Sequence, residues 1–372
     1  ITADGLGLHG SGSFTLTNTG NSVDTLAGGD STTKLGSLGF VNTGALEVGS
    51  VNSGNLILQS TGDMTQTGTI DVDGTTSLTA GAGDITLTNA NNDFTGLVTV
   101  VSANNVSITD TNGLNTDVTA SGNAILDAGA ALSAVLAVTG NSTLTSLTSL
   151  GDLTVSGSTA NLTLTSGTKT VFGATTVTGN LLSTTKGGSS VGGVTQSGVL
   201  TVTGTSTFTA DTGTGQNAVL NNANNDFSGA VSFNNTNNGS WQDVTIVDKD
   251  DLTLGNVTTT GKLDVTAATN LDLAGTLNVQ SLDLEATAGD ITQSAGTLTV
   301  TAGPTDLKAG GSITLDQAND FNGTVNVLGG TDVTLNDTDD LTLGNVTATG
   351  KLDATAATNL DLAGTLNVQS LD

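Results

Sequence analysis

The chain has 372 residues, with 51 Gly, one Pro, no Cys and no Tyr, and a formal net charge of −27 at pH 7. Aromatic residues make up only 2%, which leaves a narrow aliphatic core rather than a thick globular one. The missing Cys excludes disulfides and Cys-based metal sites, and the charge excludes nucleic acid and anionic membrane surfaces as partners.

All seven basic residues are Lys, and only Glu47 and Glu285 among the 34 acids are Glu. The opening "ITADGLGLHG" carries neither the basic nor the apolar region of a secretory leader. No apolar run reaches membrane-span length, so membrane insertion is not expected. A mature protein or an excised piece is therefore expected. Along the chain, "LVTVV", "LTLTS", "GVLTVTG" and "SITLDQ" alternate aliphatic residues with Thr or Ser. That is the period of a half-buried strand, and its β-branched residues favour strands. The nearest approach to a helical pattern, Ala124 to Val138, is interrupted by Gly129.

The strand pattern is organised in repeats. Gly62–Phe94, Gly193–Phe227 and Gly289–Phe321 parallel one another, with Gln66, Gln196 and Gln293 at the same place in each. Each ends in one motif: "NANNDFTGLVTV" (Asn89 to Val100), "NNANNDFSGAVSF" (Asn221 to Phe233) and "DQANDFNGTVNV" (Asp316 to Val327). A longer repeat is nearly exact: Asp251–Asp283 returns as Asp340–Asp372, 31 of 33 positions matching at an offset of 89. The second copy stops with the chain, which reads as a piece of a longer array.

Short strands every eight to ten residues fit either tandem sandwiches or a parallel β-solenoid. Blocks of unequal length, scattered Phe, a lone Trp241 and no linker-like composition shift favour the solenoid. The expected fold is all-β: a parallel β-helix of roughly 17–20 coils of about 18–22 residues, running continuously over 1–372. The 89-residue period divides into four coils of roughly 22 or five of roughly 18. Internal blocks fall approximately at 62–192, 193–288 and 289–372. The recurring motif is then a corner. Asn92, Asp93, Phe94 and Gly96, with Asn225, Asp226, Phe227 and Gly229, and Asn319, Asp320, Phe321 and Gly323, form the same turn three times. Asn, Asp and Gly accept left-handed backbone, the Phe plugs the aliphatic stack, and the Gly relieves the next bend.

The "AGDITL"-type strands, "NANNDFTGLVTV", "NTGALEVGSVNSGNL" (Asn42 to Leu56) and "DLTLGNVTATG" (Asp340 to Gly350) resemble the repeat region of filamentous-haemagglutinin-like exoproteins. These are large bacterial adhesins exported by two-partner secretion. The resemblance runs over nearly the whole chain, most clearly from Leu38 onward. It implies a right-handed β-helix serving as an extended shaft, secreted or held at the bacterial cell surface, without enzymatic activity or cofactor. It also implies a host or bacterial surface receptor or a polysaccharide as partner, engaged elsewhere in the protein. Two alternatives stand beside it: the shaft of a contact-dependent growth inhibition exoprotein, and a self-assembling surface-layer or biofilm matrix filament joined end to end. The Asn-Pro motifs of the family's secretion domain have no counterpart, the only Pro being Pro304.

Other candidate sites read more plainly as structure. Asp248, Asp250 and Asp251, and at matching positions Asp337, Asp339 and Asp340, could offer hard oxygens to Ca²⁺. The calcium-binding nonapeptide is absent, and a solvated acidic turn is the expected reading. A β-helical pectin-cleaving enzyme needs cations and stacking aromatics that this composition lacks. His9 is the only His, so a Ser-His-Asp triad has no second choice of base. Thr-x-Thr units drift in spacing and read as outward strand residues. Leu-Asp-Val at 263–265 and sequons at Asn105, Asn141, Asn256 and Asn345 are expected from composition alone.

Overall fold

Where aliphatic and hydroxyl residues alternate, the backbone is extended and every second side chain is buried. In Leu132–Val138 the alternation is complete. The chain is described by a computed structural model covering residues 1–147, 152–187 and 192–372. It comprises two units, Ile1–Val171 and Phe172–Asp372. Both are parallel β-solenoids, and together they make about 18 turns. Among the described residues there is no helix, and the stretch from Ala124 to Val138 forms two strands, Ala124–Ala128 and Leu132–Val138.

In the first unit the chain returns to the same face at Val106, Ala124, Ser142 and Leu162, in register and parallel. The steps are 18, 18 and 20 residues. Inside this face Ile108, Leu126, Leu144 and Leu164 stack as a column with 0% exposure. Fully burying each such side chain contributes about 1.5–3 kcal/mol. The residues one place earlier, Ser107, Ile125, Thr143 and Thr163, point outward. A slip of one residue would exchange the two columns, so the alternating pattern fixes the register.

In the second unit the aromatics that look scattered in sequence meet. Phe208 lies over Phe233 with ring centroids 5.1 Å apart, Phe172 meets Phe208 edge-on at 6.3 Å, and Trp241 meets Phe233 edge-on at 5.9 Å. Trp241 is fully buried, and its indole Nε1–H donates to Asn234 O at 3.0 Å. It is part of the core and offers no platform for a sugar.

The 89-residue repeat corresponds to neither four coils nor five. Leu252 is in register with Leu271, Leu271 with Ile291, Ile291 with Ile313, and Ile313 with Val333. Those four coils use 81 residues (333 − 252). The remaining eight, from Val333 to Leu341, cross to the opposite face. Leu252–Thr258 and its copy Leu341–Thr347 therefore belong to different sheets, as do Lys262–Ala267 and Lys351–Ala356. Likewise Phe227 and Phe321 lie in different sheets. Two sheets that impose the same inside–outside alternation accept the same sequence at a half-coil offset.

The expected left-handed corners are not present in the motif. Among the described residues the only non-glycine positions with positive φ are Thr212, Asn237 and Asn238. Gly96, Gly229 and Gly323 also lack positive φ. They are glycine for a different reason. A Cβ at these positions would lie against the carbonyl oxygens of Gly74, Gly204 and Gly303 in the preceding coil, inside contact distance. Close approach of two backbones, rather than turn conformation, sets the residue type.

Candidate functional site: a three-coil corner lock

The Asn immediately before the Asp of the motif turns inward. Asn92, Asn225 and Asn319 each have 0% exposure, so their amides must find partners inside the coil. They find them in the Gln that marks the preceding coil. Asn225 Nδ2 donates to Gln196 Oε1 at 2.9 Å, and Gln196 Nε2 returns a hydrogen bond to Asn225 Oδ1 at 2.8 Å. The pair recurs at Asn319 and Gln293, at 2.9 and 2.8 Å, and at Asn92 and Gln66. The same Asn Oδ1 accepts a backbone N–H from the preceding coil: Ile70, Leu200 and Leu298, each at 3.0 Å. Its Nδ2 donates to a carbonyl of its own coil, Leu87, Leu220 or Leu315.

The third member comes from the following coil. The Phe of each motif is 1% exposed, and its backbone N–H donates to a buried aspartate. Phe94 donates to Asp110 Oδ2 at 2.7 Å, Phe227 to Asp248 Oδ2 at 2.7 Å, and Phe321 to Asp337 Oδ2 at 3.0 Å. The other carboxyl oxygen accepts the N–H two residues on: Asn112 at 2.6 Å, Asp250 at 2.9 Å and Asp339 at 2.9 Å. Each lock thus ties three successive coils through Gln, Asn and Asp. Asp248 and Asp337, read from sequence as solvated turn residues, are each 1% exposed.

Burial governs the charge of these aspartates. It pushes Asp248 up to about 7, with the neighbouring Asp250 carboxyl adding to the rise and the two backbone donors opposing it. Burial raises Asp337 too, helped by Asp339, and raises Asp110, helped by Asp93. The outward-facing Asp of the motif is treated differently in each lock. Asp93 accepts from Asn112 Nδ2 at 3.2 Å, Asp226 pairs with Lys249 Nζ at 2.7 Å, and Asp320 accepts from Asn322 Nδ2 at 2.5 Å.

The remaining candidates also hold coils together. Asp251 Oδ1 accepts the Asn270 N–H at 3.0 Å, and Asp340 Oδ1 accepts the Asn359 N–H at 3.1 Å. The Thr269 and Thr358 hydroxyls donate to the same carboxylates and are the main reason both are held below the ordinary range. The sequon asparagines belong to similar ladders: Asn105, Asn256 and Asn345 accept the N–H of Asn123, Thr276 and Thr365, and Asn141 Oδ1 accepts from Asn161 Nδ2. His9 is exposed. Among the described residues no group of three His, Asp or Glu is placed to hold a metal ion.

Sequence reading located Gln66, Gln196 and Gln293 but not their role, and it missed Asp110. The signal was present as Asp-x-Asn or Asp-x-Asp closing the next strand, at 110–112, 248–250 and 337–339. A family described as repeats of unknown function (DUF5649) matches residues 34–101, 159–234, 242–286, 268–328 and 330–371. No curated protein and no solved structure matches the chain.

Proposed function

As the chain belongs to this family of repeats of unknown function (DUF5649), we propose that it is a structural, non-enzymatic shaft segment of a large secreted bacterial adhesin. One observation carries this reading. The polar side chains that could have formed a site are engaged instead in joining one coil to the next, as Gln196, Asn225 and Asp248 do. A formal net charge of −27, carried mostly by aspartates outside the buried locks, favours solubility and discourages lateral association. In this reading the receptor or polysaccharide is bound elsewhere in the protein, and the segment sets reach and stiffness.

The test is made on the producing cells and on the purified chain. Antibodies against the 372-residue segment should label intact cells, and external protease should remove the label. The purified chain should neither turn over polysaccharide nor compete with the cells for their surface. A segment found only inside the cell, or one that by itself blocks adhesion or cleaves a glycan, would overturn the proposal.

A further inference from the structure

We propose that Asn112 is a self-modification site, converting without an enzyme to aspartate or isoaspartate, and that its aspartyl form gives the first lock the acid pair of the other two. Asn is followed by Gly at three places: Asn112–Gly113, Asn238–Gly239 and Asn322–Gly323. In such a pair the Gly amide nitrogen, losing its proton to solvent base, attacks Cγ of the Asn side chain. The new C–N bond closes a succinimide, and the side-chain amide leaves as ammonia after taking up a proton. Water then opens the ring at one carbonyl or the other, giving aspartate or isoaspartate. Gly at the second position leaves the nucleophile unshielded and the backbone free to turn.

The three nucleophiles differ. Gly239 is buried, and its N–H already donates to Thr236 O at 2.7 Å. Gly323 is half-buried, with its backbone pressed on Gly303 O of the neighbouring coil. Gly113 and Asn112 are both exposed, and the nearest atom to a Cβ at Gly113 is Ala131 O at 3.2 Å. The first pair is therefore the most exposed of the three, although the Asn112 carbonyl accepts the Ala130 N–H at 2.7 Å.

The product has a counterpart in the same molecule. Asn112 stands two residues after Asp110, where the other locks carry Asp250 after Asp248 and Asp339 after Asp337. Its N–H donates to Asp110 Oδ1 at 2.6 Å, as those of Asp250 and Asp339 do to their partners. An aspartate here keeps that hydrogen bond. It loses the Nδ2 donor that now serves Asp93 and places a carboxyl beside Asp110. Isoaspartate adds a backbone carbon between this clamp and the strand Leu114–Ala120.

The test is peptide mapping of the full chain during incubation in mildly alkaline buffer, with fragmentation that distinguishes aspartate from isoaspartate. The modified fraction at position 112 should lead those at 238 and 322 at every time, and Gly113→Ala should suppress it. Modification first at 238 or 322, or equal rates at all three, would overturn the site. In a second arm, exchange protection of the Phe94 amide is followed against pH in Asn112→Asp. Protection should become more pH-dependent than in the unmodified chain, and an unchanged profile would overturn the equivalence of the locks.

Discussion

The side chains of Gln196 and Asn225 are joined twice, Nε2 to Oδ1 at 2.8 Å and Nδ2 to Oε1 at 2.9 Å, across the boundary between two coils. The pair is buried at Asn225, and Asn225 Oδ1 also accepts the Leu200 N–H. In Asn225→Ala the Leu200 N–H loses its partner, at about 1–3 kcal/mol for a buried group left unsatisfied, while Gln196 keeps only Gly198 O and the Asn222 N–H. Exchange should rise in the strands Leu200–Val202, Gln216–Leu220 and Trp241–Asp248. It should stay unchanged several coils away, because each coil contacts only its neighbours. A uniform rise would contradict a local lock.

The pH dependence of the second lock has an unusual sign for an aspartate. Asp248 is raised from 3.8 to about 7 in the folded chain, so between those values the folded state holds a proton that the unfolded state has released. Its contribution to stability is complete below the ordinary value and disappears as the pH rises through about 7. Asp251 and Asp340 are lowered, so their contributions are present above the ordinary value and lost in acid. The denaturation midpoint of the wild type should fall relative to that of Asp248→Asn as the pH rises from 4 to 8, because the Asn side chain stays neutral throughout. Parallel profiles would show that Asp248 does not titrate in this window.

Phe321 has 1% exposure, and its loss opens a cavity inside one coil. Phe321→Ala should cost about 3–5 kcal/mol. The outward Thr334→Ala in the next coil should stay within roughly 0.5 kcal/mol of the wild type. Calorimetry or denaturant titration of the two variants decides it, and equal effects would remove the plug role.

Gly96→Ala tests the close approach of coils. Its Cβ would meet Gly74 O, a backbone atom that cannot rotate away, so a loss of about 1–3 kcal/mol is expected. Gly81 is the control for conformation without crowding. It has φ +62 with open space around the added Cβ, so Gly81→Ala should cost about 1–2 kcal/mol from backbone strain alone. Strand contacts between Asp93–Phe94 and Ile70–Val72 should loosen only in the Gly96 variant, as read by amide exchange.

The fold was legible because the inside–outside alternation of residues such as Ile108 and Ser107 is written at single-residue resolution. The recurring Asn-Asp-Phe-x-Gly was visible as a corner, yet its physics was not. Asn92 and Asn91 are neighbours of the same type, and only folding shows that one is sealed inside while the other is exposed. Gly96 is indistinguishable in sequence from a turn glycine; the carbonyl that excludes a side chain belongs to a residue 22 positions earlier (96 − 74). Asp110 was missed because a buried carboxylate looks like a surface one until its backbone donors are placed. The 89-residue period misled because a whole number of coils was assumed, whereas the two sheets are interchangeable.

The most direct test uses the absence of Cys in the chain, which allows pairs to be introduced without background. Thr143 and Thr163 are outward neighbours in register in one unit, and Thr207 and Ser232 in the other. Adjacent strands about 4.8 Å apart lie within disulfide reach, so both double-Cys variants should cross-link within one chain under mild oxidation. Thr143→Cys with Leu164→Cys should not, since Leu164 points into the core. Cross-linking of the two register pairs and not the slipped one is the result expected of parallel coils in this register; cross-linking of the slipped pair, or of neither register pair, would contradict it.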